Sequence, residues 1–535
     1  MASQLDAQVS GFERHALEQF GPFSESLVWR KIRTYYESKG PAAFQDHTVP
    51  NYVTTNAFIA RAYSRVIVGY VKDALAAGQI DDESPISIVE LGAGSGRLGY
   101  RTFLEVQSYA TASGLPAKFQ LILTDLGQSN RDFWRGHFRL LPWMEQGLVD
   151  IARFDVIEDR ELRLEVSGRT LGRGAFKNPV ILLANYLFDS LPCDFFFVDA
   201  EGVISESLIR LCGAEQSPEW NSPDVWHRLA LEIQRRPAEP LRYPDSAWND
   251  IVRQCASKAR DAVVVFPVAA LRALENLSTL CGDRFLLLTS DKGYHNAEFA
   301  PTQEMHFSVD GSLSLDVNFR ALQLWAESRG GHAFFPPYDN RTLDTGAFVL
   351  GSAMPLHATE LAFEEAVTAF SPADYLRAIS VLGPEDRPSL HQYLAFLRLS
   401  NYDSLMAGRH SDQLIEQIPE AAAEIRHQLL LAIDRVWAGY FPLGEQEDLP
   451  LALGKIMIAL AFWEPATELL LASVSIYGET SENTYYLAMC CLQLGDVDRA
   501  AVMAAKARKL DPSDEGTAEL VKTIAEKRKE RSGAR

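Results

Sequence analysis

Ile86-Ser-Ile-Val-Glu90-Leu-Gly92-Ala-Gly94-Ser-Gly96-Arg-Leu-Gly99 is an apolar run that ends in an acid and passes through closely spaced glycines into a helical pattern. Such a run reads as a buried strand. Gly92, Gly94 and Gly96 lack Cβ atoms, so the backbone can turn sharply and bring amides near a helix N-terminus up to a ligand. The arrangement suits a nucleoside cofactor, and two compete for it. Gly94-x-Gly96-x-x-Gly99 matches a dinucleotide fingerprint, which expects an acid about 20 residues after the loop. Asp125 comes somewhat later and would serve either cofactor. Glu90, two positions before Gly92, favours S-adenosylmethionine (SAM), because a carboxylate there can face the amino group of a methionine moiety, and NAD has no such moiety.

Strand and helix signals alternate outward from this loop. A helical preface over residues 1–80 includes Tyr52–Ala77, with apolar residues at helical spacing, and ends at Gly78 and the Asp81–Pro85 break. Strands are expected at Ile86–Leu91, Phe119–Asp125, Val149–Phe154, Val180–Ala184 and Arg284–Thr289, and helices at Gly96–Ser113, Ser129–Leu140 and Val268–Leu280. That order predicts an α/β domain over 81–352 with a mostly parallel sheet. An insertion or lid over about 206–258, rich in Pro, Trp and charge, interrupts it. An antiparallel end from His306 to Phe335 encloses the helix Phe319–Arg329, and the sheet closes near residue 350.

Beyond Pro355 strand signals vanish, which predicts an all-α domain over 356–535. Leu453-Gly454, Ala466 and Leu470 recur 34 residues later as Leu487-Ala488, Ala500 and Ala504, followed by Ala507 and Pro512. This period matches a tetratricopeptide (TPR) pattern, so the C-terminal helices are expected either to offer a surface for a protein substrate or partner or simply to stabilise the rest.

With 535 residues, 47% hydrophobic and 23% charged, the chain is expected to be globular almost throughout, with two domains as the working count. A formal net charge of −20 argues against broad attraction to nucleic acid. Six scattered cysteines without a C-x-x-C pair read as reduced, buried thiols, and no metal site is expected from them. The N-terminus resembles neither a secretory nor a mitochondrial leader, and no stretch approaches a membrane span, so a cytoplasmic location is expected.

Asp125 ends the second strand, where a carboxylate can accept from both ribose hydroxyls, a role favoured over a simple cap on the following helix. Asp155, just past the third strand, could sit beside an adenine edge. Ile181-Leu-Leu-Ala-Asn185-Tyr-Leu-Phe-Asp189-Ser-Leu-Pro192 delivers polar groups to the carboxyl end of a buried strand. There Asn185 and Asp189 could orient an incoming nucleophile, and Asp189 could accept a proton. His295, His306 and His332 lie in or near the closing strands and read as packed or solvent-facing.

Glu90-Leu-Gly-Ala-Gly-Ser-Gly96, Asp125 with Gln128-Ser129, Asn185 through Pro192, and Leu288-Thr-Ser-Asp291-Lys-Gly293-Tyr294 together resemble the MidA-like SAM-dependent methyltransferases. That family contains the mitochondrial complex I assembly arginine methyltransferase. The resemblance spans roughly residues 30–345 and includes Tyr35-Tyr36 and Asn51–Thr55. It implies a class I methyltransferase fold, Rossmann-like with a mostly parallel seven-stranded sheet, and protein methylation. Two positions depart from the family pattern: Tyr186 stands where the family has Glu, and Lys292 where it has Tyr. The missing Glu weakens the implication of arginine specificity.

The leading expectation is therefore a SAM-dependent methyltransferase acting on a protein side chain. Glu90, Gly92, Gly94, Gly96, Asp125 and Asp155 would hold the cofactor, and Asn185 and Asp189 would frame the acceptor. A non-catalytic SAM-binding assembly factor is the alternative, and an NAD-linked oxidoreductase the third reading.

Overall fold

A computed structural model describes residues 15–40, 52–220, 225–296, 298, 308–309, 313–351, 354–381, 387–409 and 411–533. Asn51, His306 and the side chains of Tyr35 and Tyr36 lie outside the described residues. The chain divides into two compact units, Met1–Ala378 and Ile379–Arg535.

The first unit opens with helices α1 (Leu27–Lys39) and α2 (Ala57–Ala76). The Asn56 side chain starts α2 by accepting a hydrogen bond from the Ile59 amide, which satisfies one of the free donors of a helix N-terminus. Strand β1 (Ile86–Glu90) follows, then α3 (Arg97–Ala112), β2 (Phe119–Asp125), α4 (Gln128–Gly136), β3 (Val149–Arg153), β4 (Leu162–Leu164), β5 (Thr170–Leu171) and β6 (Val180–Asn185). Next come β7 (Asp194–Val198), β8 (Ile204–Gly213), β9 (Leu229–Pro237), α5 (Ser246–Ala256), β10 (Ala262–Phe266), α6 (Val268–Cys281), β11 (Phe285–Asp291), α7 (Phe319–Ser328), β12 (His332–Phe334), β13 (Asp344–Leu350) and α8 (His357–Phe363).

Nine strands form the main sheet, in the order β12-β13-β11-β6-β1-β2-β3-β4-β5. The run from β11 to β3 is parallel. β13 lies antiparallel to β11, and β12 antiparallel to β13. The short hairpin β4–β5, which the sequence reading did not separate from its surroundings, extends the other edge. The central strands are buried along almost their whole length, as their unbroken apolar runs require. Thr124 and Thr289 donate side-chain hydrogen bonds to the carbonyls of Glu90 and Ala184 on neighbouring strands, each at 2.7 Å. From β1 the order runs one way to β2 and β3 and the other way to β6 and β11. The β1–β6 boundary is therefore a topological switch point, where open α/β sheets form their ligand crevice.

The expected insertion over 206–258 builds a second sheet. β8 pairs with β7 and β9, β7 with β10, and His15–Ala16 with β8, all antiparallel. Ile209, Leu211, Leu229 and Leu231 alternate onto a buried face with Phe195, Val263 and Val265. The period-two pattern was present but interrupted by the Pro- and Trp-rich stretch between the strands.

The unit boundary at 378/379 falls later than the domain start expected at 356. Asp73 of α2 accepts hydrogen bonds from the amides of Ala358 and Thr359 and from the Thr359 hydroxyl, at 3.1, 2.8 and 2.7 Å. A Cβ on Gly69 would lie 2.5 Å from the Ala358 carbonyl oxygen, so only glycine admits α8 this closely. The second unit is helical. Its helices include Leu449–Ala459 paired with Trp463–Tyr477, Ser481–Gln493 paired with Val497–Leu510, and a final helix Glu515–Gly533. The repeated small and apolar positions, Leu453, Gly454, Ala466, Leu470, Leu487, Ala488, Ala500, Ala504 and Ala507, are all buried within these helices.

Gly69→Ala is expected to force α8 off α2 and to destabilise the first unit by about 1–3 kcal/mol through overpacking. A lowered urea midpoint for that unit's transition checks it, and an unchanged midpoint would contradict this packing.

Candidate functional site

The loop after β1 turns at three glycines with positive φ, Gly92 at 59°, Gly94 at 51° and Gly96 at 75°. The left-handed region costs an L side chain about 1–2 kcal/mol per residue, which explains the glycines. Acids at the two adjacent strand ends hold the loop in place. Asp125 Oδ2 accepts from the Gly94 amide at 2.9 Å, and Asp125 Oδ1 from the Gly127 amide at 2.7 Å. Glu90 Oε2 accepts from the Gly99 amide at 2.9 Å, in the first turn of α3. A Cβ on Gly99 would stand 2.4 Å from that oxygen, so the last glycine makes room for the acid.

Burial dominates the protonation of both acids. Glu90 is pushed up to about 8, with the Gly99 hydrogen bond opposing and the Asp125 charge adding to the rise. Asp125 is raised less, because the Gly127 and Gly94 amides, Asn130 and Arg131 all favour its charge. Each carboxylate oxygen offers two acceptor sites, so Asp125 retains capacity beyond its two amides.

Across the switch point, the turn after β6 stands against the same loop: a Cβ on Gly92 would lie 3.2 Å from Leu187 Cδ1. Both polar atoms of the Asn185 side chain bond to the protein, and one amide N–H is left over. Its Oδ1 accepts from the Tyr63 hydroxyl at 2.7 Å and the Ser290 amide at 3.0 Å, and its Nδ2 donates to the Thr54 carbonyl at 3.0 Å. The amide thereby ties β6, β11, α2 and the Tyr52–Thr55 turn together. Tyr63 and Ser290, which the sequence reading did not single out, complete this network, with their hydroxyls 2.8 Å apart. Nothing local in the sequence signals them, because each lies inside an apolar element.

Tyr186 follows with φ 47°, a strained conformation for a bulky residue. Its hydroxyl pKa is raised by burial and by the Asp291 and Asp189 charges. Asp189 is 6% exposed, and its carboxylate makes no hydrogen bond with any described residue. Burial pushes it up to about 7, against Lys292, which lowers it, and with Asp316, which raises it. Asp291, fully buried at the end of β11, receives the amides of Phe188 at 3.0 Å and Asp189 at 3.2 Å on Oδ2, and that of Lys292 at 2.9 Å on Oδ1. Its pKa is raised by burial and by Asp189. Asp291 was quoted within the sequence resemblance but not assigned to the site. Its position at a strand end after an apolar run was the available signal.

Asp155 stands just past β3, as the sequence places it. It pairs with Arg33 of α1 at 2.7 Å and accepts from the Ile157 and Glu158 amides, so its carboxylate serves an ion pair and a turn. His332 lies exposed on β12. His295 lies in a separate cluster with Asp339 and Asp344.

No family model matches the chain, and no curated protein matches it. Among solved structures, the chain is similar to an uncharacterized ACR, COG1565 superfamily protein from Burkholderia thailandensis, at 13% identity and TM-score 0.39 over 63% of this chain and 90% of that one. It is also similar to a COG1565 superfamily member from the same organism bound to S-adenosyl-homocysteine, at 14% identity and TM-score 0.39 over 64% and 90%. An O-methyltransferase family protein from Burkholderia thailandensis aligns at 9% identity and TM-score 0.24 over 61% and 69%. Likenesses this distant say nothing of what the crevice binds.

The raised pKa of Asp189 has a consequence for stability. Its folded value, about 7, lies above an unfolded value near 3.9, so its contribution to stability is present at low pH and is lost as pH rises toward 7. Asp189→Asn is therefore expected to stabilise the protein by about 1–3 kcal/mol at pH 8 and by much less at pH 5. Urea unfolding at the two pH values checks this, and a pH-independent difference would count against the buried, ionisable acid.

Proposed function

We propose that the chain is a SAM-dependent methyltransferase. The observation that carries this reading is the β1–β6 switch point, where the acid-anchored glycine loop lies against Leu187 of a turn that also carries Asp189, a buried acid whose carboxylate makes no hydrogen bond with any described residue. The strand order β12-β13-β11-β6-β1-β2-β3, parallel except at β13, supports reading these seven strands as a class I methyltransferase sheet with the β4–β5 hairpin added.

The residues present fit the cofactor. Glu90 Oε1 has no hydrogen-bond donor among the described residues, and the raised pKa of Glu90 marks a buried carboxylate in want of a cation, which an ammonium group would supply. Asp125 keeps acceptor capacity for ribose hydroxyls, while Gly92, Gly94 and Gly96 leave the loop backbone open to close approach. Asp155, just past β3, is the candidate for the adenine edge, with its carboxylate held by Arg33 of α1. SAM when bound supplies a methyl group on a sulfonium, which transfers by direct displacement.

In this reading Asp189 accepts the proton that the acceptor loses, and Asp291 fixes the turn that presents Asp189 through its amide contacts. Asn185 acts as a positioning residue, since its polar atoms are taken up in holding β6, β11 and α2 in register. The paired C-terminal helices, with their 34-residue recurrence, support a TPR-like domain that recruits the protein substrate or another partner.

Calorimetry with SAM and S-adenosylhomocysteine is the first test: saturable binding is expected, and its absence from correctly folded protein would overturn the reading. Asp189→Asn is expected to lower turnover by about 10²–10⁴. The wild-type rate is expected to rise with pH through about 7 as Asp189 loses its proton, and the variant should lose that limb. Labelled SAM added with the protein to a lysate, followed by mass spectrometry, identifies the acceptor.

A second reading, a SAM-binding assembly factor without turnover, draws on Tyr186, which occupies the family's Glu position with a strained backbone and a hydroxyl pKa raised by burial and by the Asp291 and Asp189 charges. It predicts that Asp189→Ala retains biological activity and cofactor binding. Loss of function with intact folding and partner binding would remove it.

A further inference from the structure

His295, Asp339 and Asp344 come together just beyond the end of β11, from positions 44 and 49 residues apart in the chain. His295 Nδ1 lies 2.7 Å from Asp344 Oδ2 and 3.1 Å from Asp339 Oδ1. One ring nitrogen donates at most one proton, so it satisfies only one of the two carboxylates. The second oxygens, Asp344 Oδ1 and Asp339 Oδ2, are buried and meet no hydrogen-bond partner among the described residues, although the Thr345 amide stands close enough to favour the charge of Asp344. The two carboxylate side chains are only 1% and 8% exposed. Each unpartnered oxygen shares a carbon with one that touches Nδ1, so both lie within the same cluster. Buried carboxylate oxygens without donors are costly unless a cation meets them.

The surroundings hold the three groups in place. The His295 and Asn296 amides donate to Asp339 Oδ1 at 3.1 and 3.3 Å, which fixes that carboxylate against the loop. The imidazole stacks on Phe335 with centroids 4.9 Å apart. Outer contacts of this kind orient a metal-binding histidine. The three ligand atoms lie within 4.8 Å of one another. Four-coordinate zinc with bonds of about 2.0–2.2 Å separates its ligand atoms by about 3.3 Å, so the 2.7 and 3.1 Å contacts of Nδ1 would each widen by about half an ångström or less.

We propose that His295, Asp339 and Asp344 form a binding site for a divalent first-row transition-metal ion such as Zn²⁺ or Mn²⁺. One imidazole nitrogen with two carboxylates suits these ions, whereas Ca²⁺ needs six to eight oxygens and Mg²⁺ takes few all-protein cages. The ion takes the place of the shared proton and clips the loop after β11 to the segment entering β13. Cysteine spacing, on which the sequence expectation of no metal rested, has no bearing on this cluster. The proposal stands independently of the methyltransferase reading.

The test uses the full chain, stripped with a chelator and then titrated with ZnCl₂, MnCl₂ or MgCl₂. Elemental analysis after gel filtration is expected to find about one equivalent of zinc or manganese, with a melting temperature several degrees above the stripped protein and no comparable effect of Mg²⁺. His295→Gln and Asp344→Asn are each expected to weaken metal binding at least tenfold while circular dichroism stays unchanged. If either variant misfolds, wild-type protein loaded with Co²⁺ decides: ligand-field absorption that Zn²⁺ displaces supports the site, and its absence overturns it. Wild-type protein that retains no metal, or a folded His295→Gln that binds as tightly as wild type, also overturns the proposal.

Discussion

Buried acids at strand ends, met by main-chain amides instead of basic side chains, organise the crevice of this protein. Glu90 takes the Gly99 amide, Asp125 those of Gly94 and Gly127, and Asp291 those of Phe188, Asp189 and Lys292. A carboxylate removed from water needs donors, and the nearest ones belong to loops leaving the same sheet. Each acid therefore shapes a loop. Glu90 and Asp125 hold the glycine turn between them, and Asp291 curls the chain at Phe188 and Asp189. Asp189, in the turn after β6, meets no such donor among the described residues, and this sets its chemistry apart from that of its neighbours.

A second set of contacts sets the spacing between these loops. The Tyr63 hydroxyl reaches both Asn185 and Ser290, and Ser290 also meets Thr345 at 2.8 Å, so helix α2 and strands β6, β11 and β13 share one buried polar network. Buried networks of this kind are costly if half-made and rigid when complete. A helix from the N-terminal preface thus sets the position of strand ends β6 and β11. Asn185 belongs to this network while standing four residues before Asp189 in the same segment.

Much of the fold could be read in the chain. The strands Ile86–Glu90, Phe119–Asp125 and Val180–Asn185 carry continuous apolar runs bounded by acids, glycine or asparagine, so their ends fall close to where pattern alone places them. The helix expected over Ser129–Leu140 stops at Gly136 and restarts at Leu141 with Pro142 in its first turn, because proline fits the start of a helix and not its interior. The hairpin β8–β9 was hidden because its strands are separated by the Pro- and Trp-rich stretch and because the second half of β9 is exposed and charged. Pattern alone offers Asp125 for a ribose and Asp155, just past the next strand, for an adenine edge, without showing what each meets in the protein. What set them apart was Arg33, which reaches Asp155 from a helix more than a hundred residues earlier in the chain.

The chain by itself determined the elements, the glycine loop and the acids that end the strands, since these depend on apolar runs, on positions that only glycine tolerates and on local periodicity. Only the tertiary structure decided which acids are free, which are tied to amides and which are paired, and it alone brought His295, Asp339 and Asp344 into one cluster. The reason is physical. Desolvation and hydrogen-bond supply at a carboxylate depend on what packs against it, and here the packing partners come from distant parts of the chain.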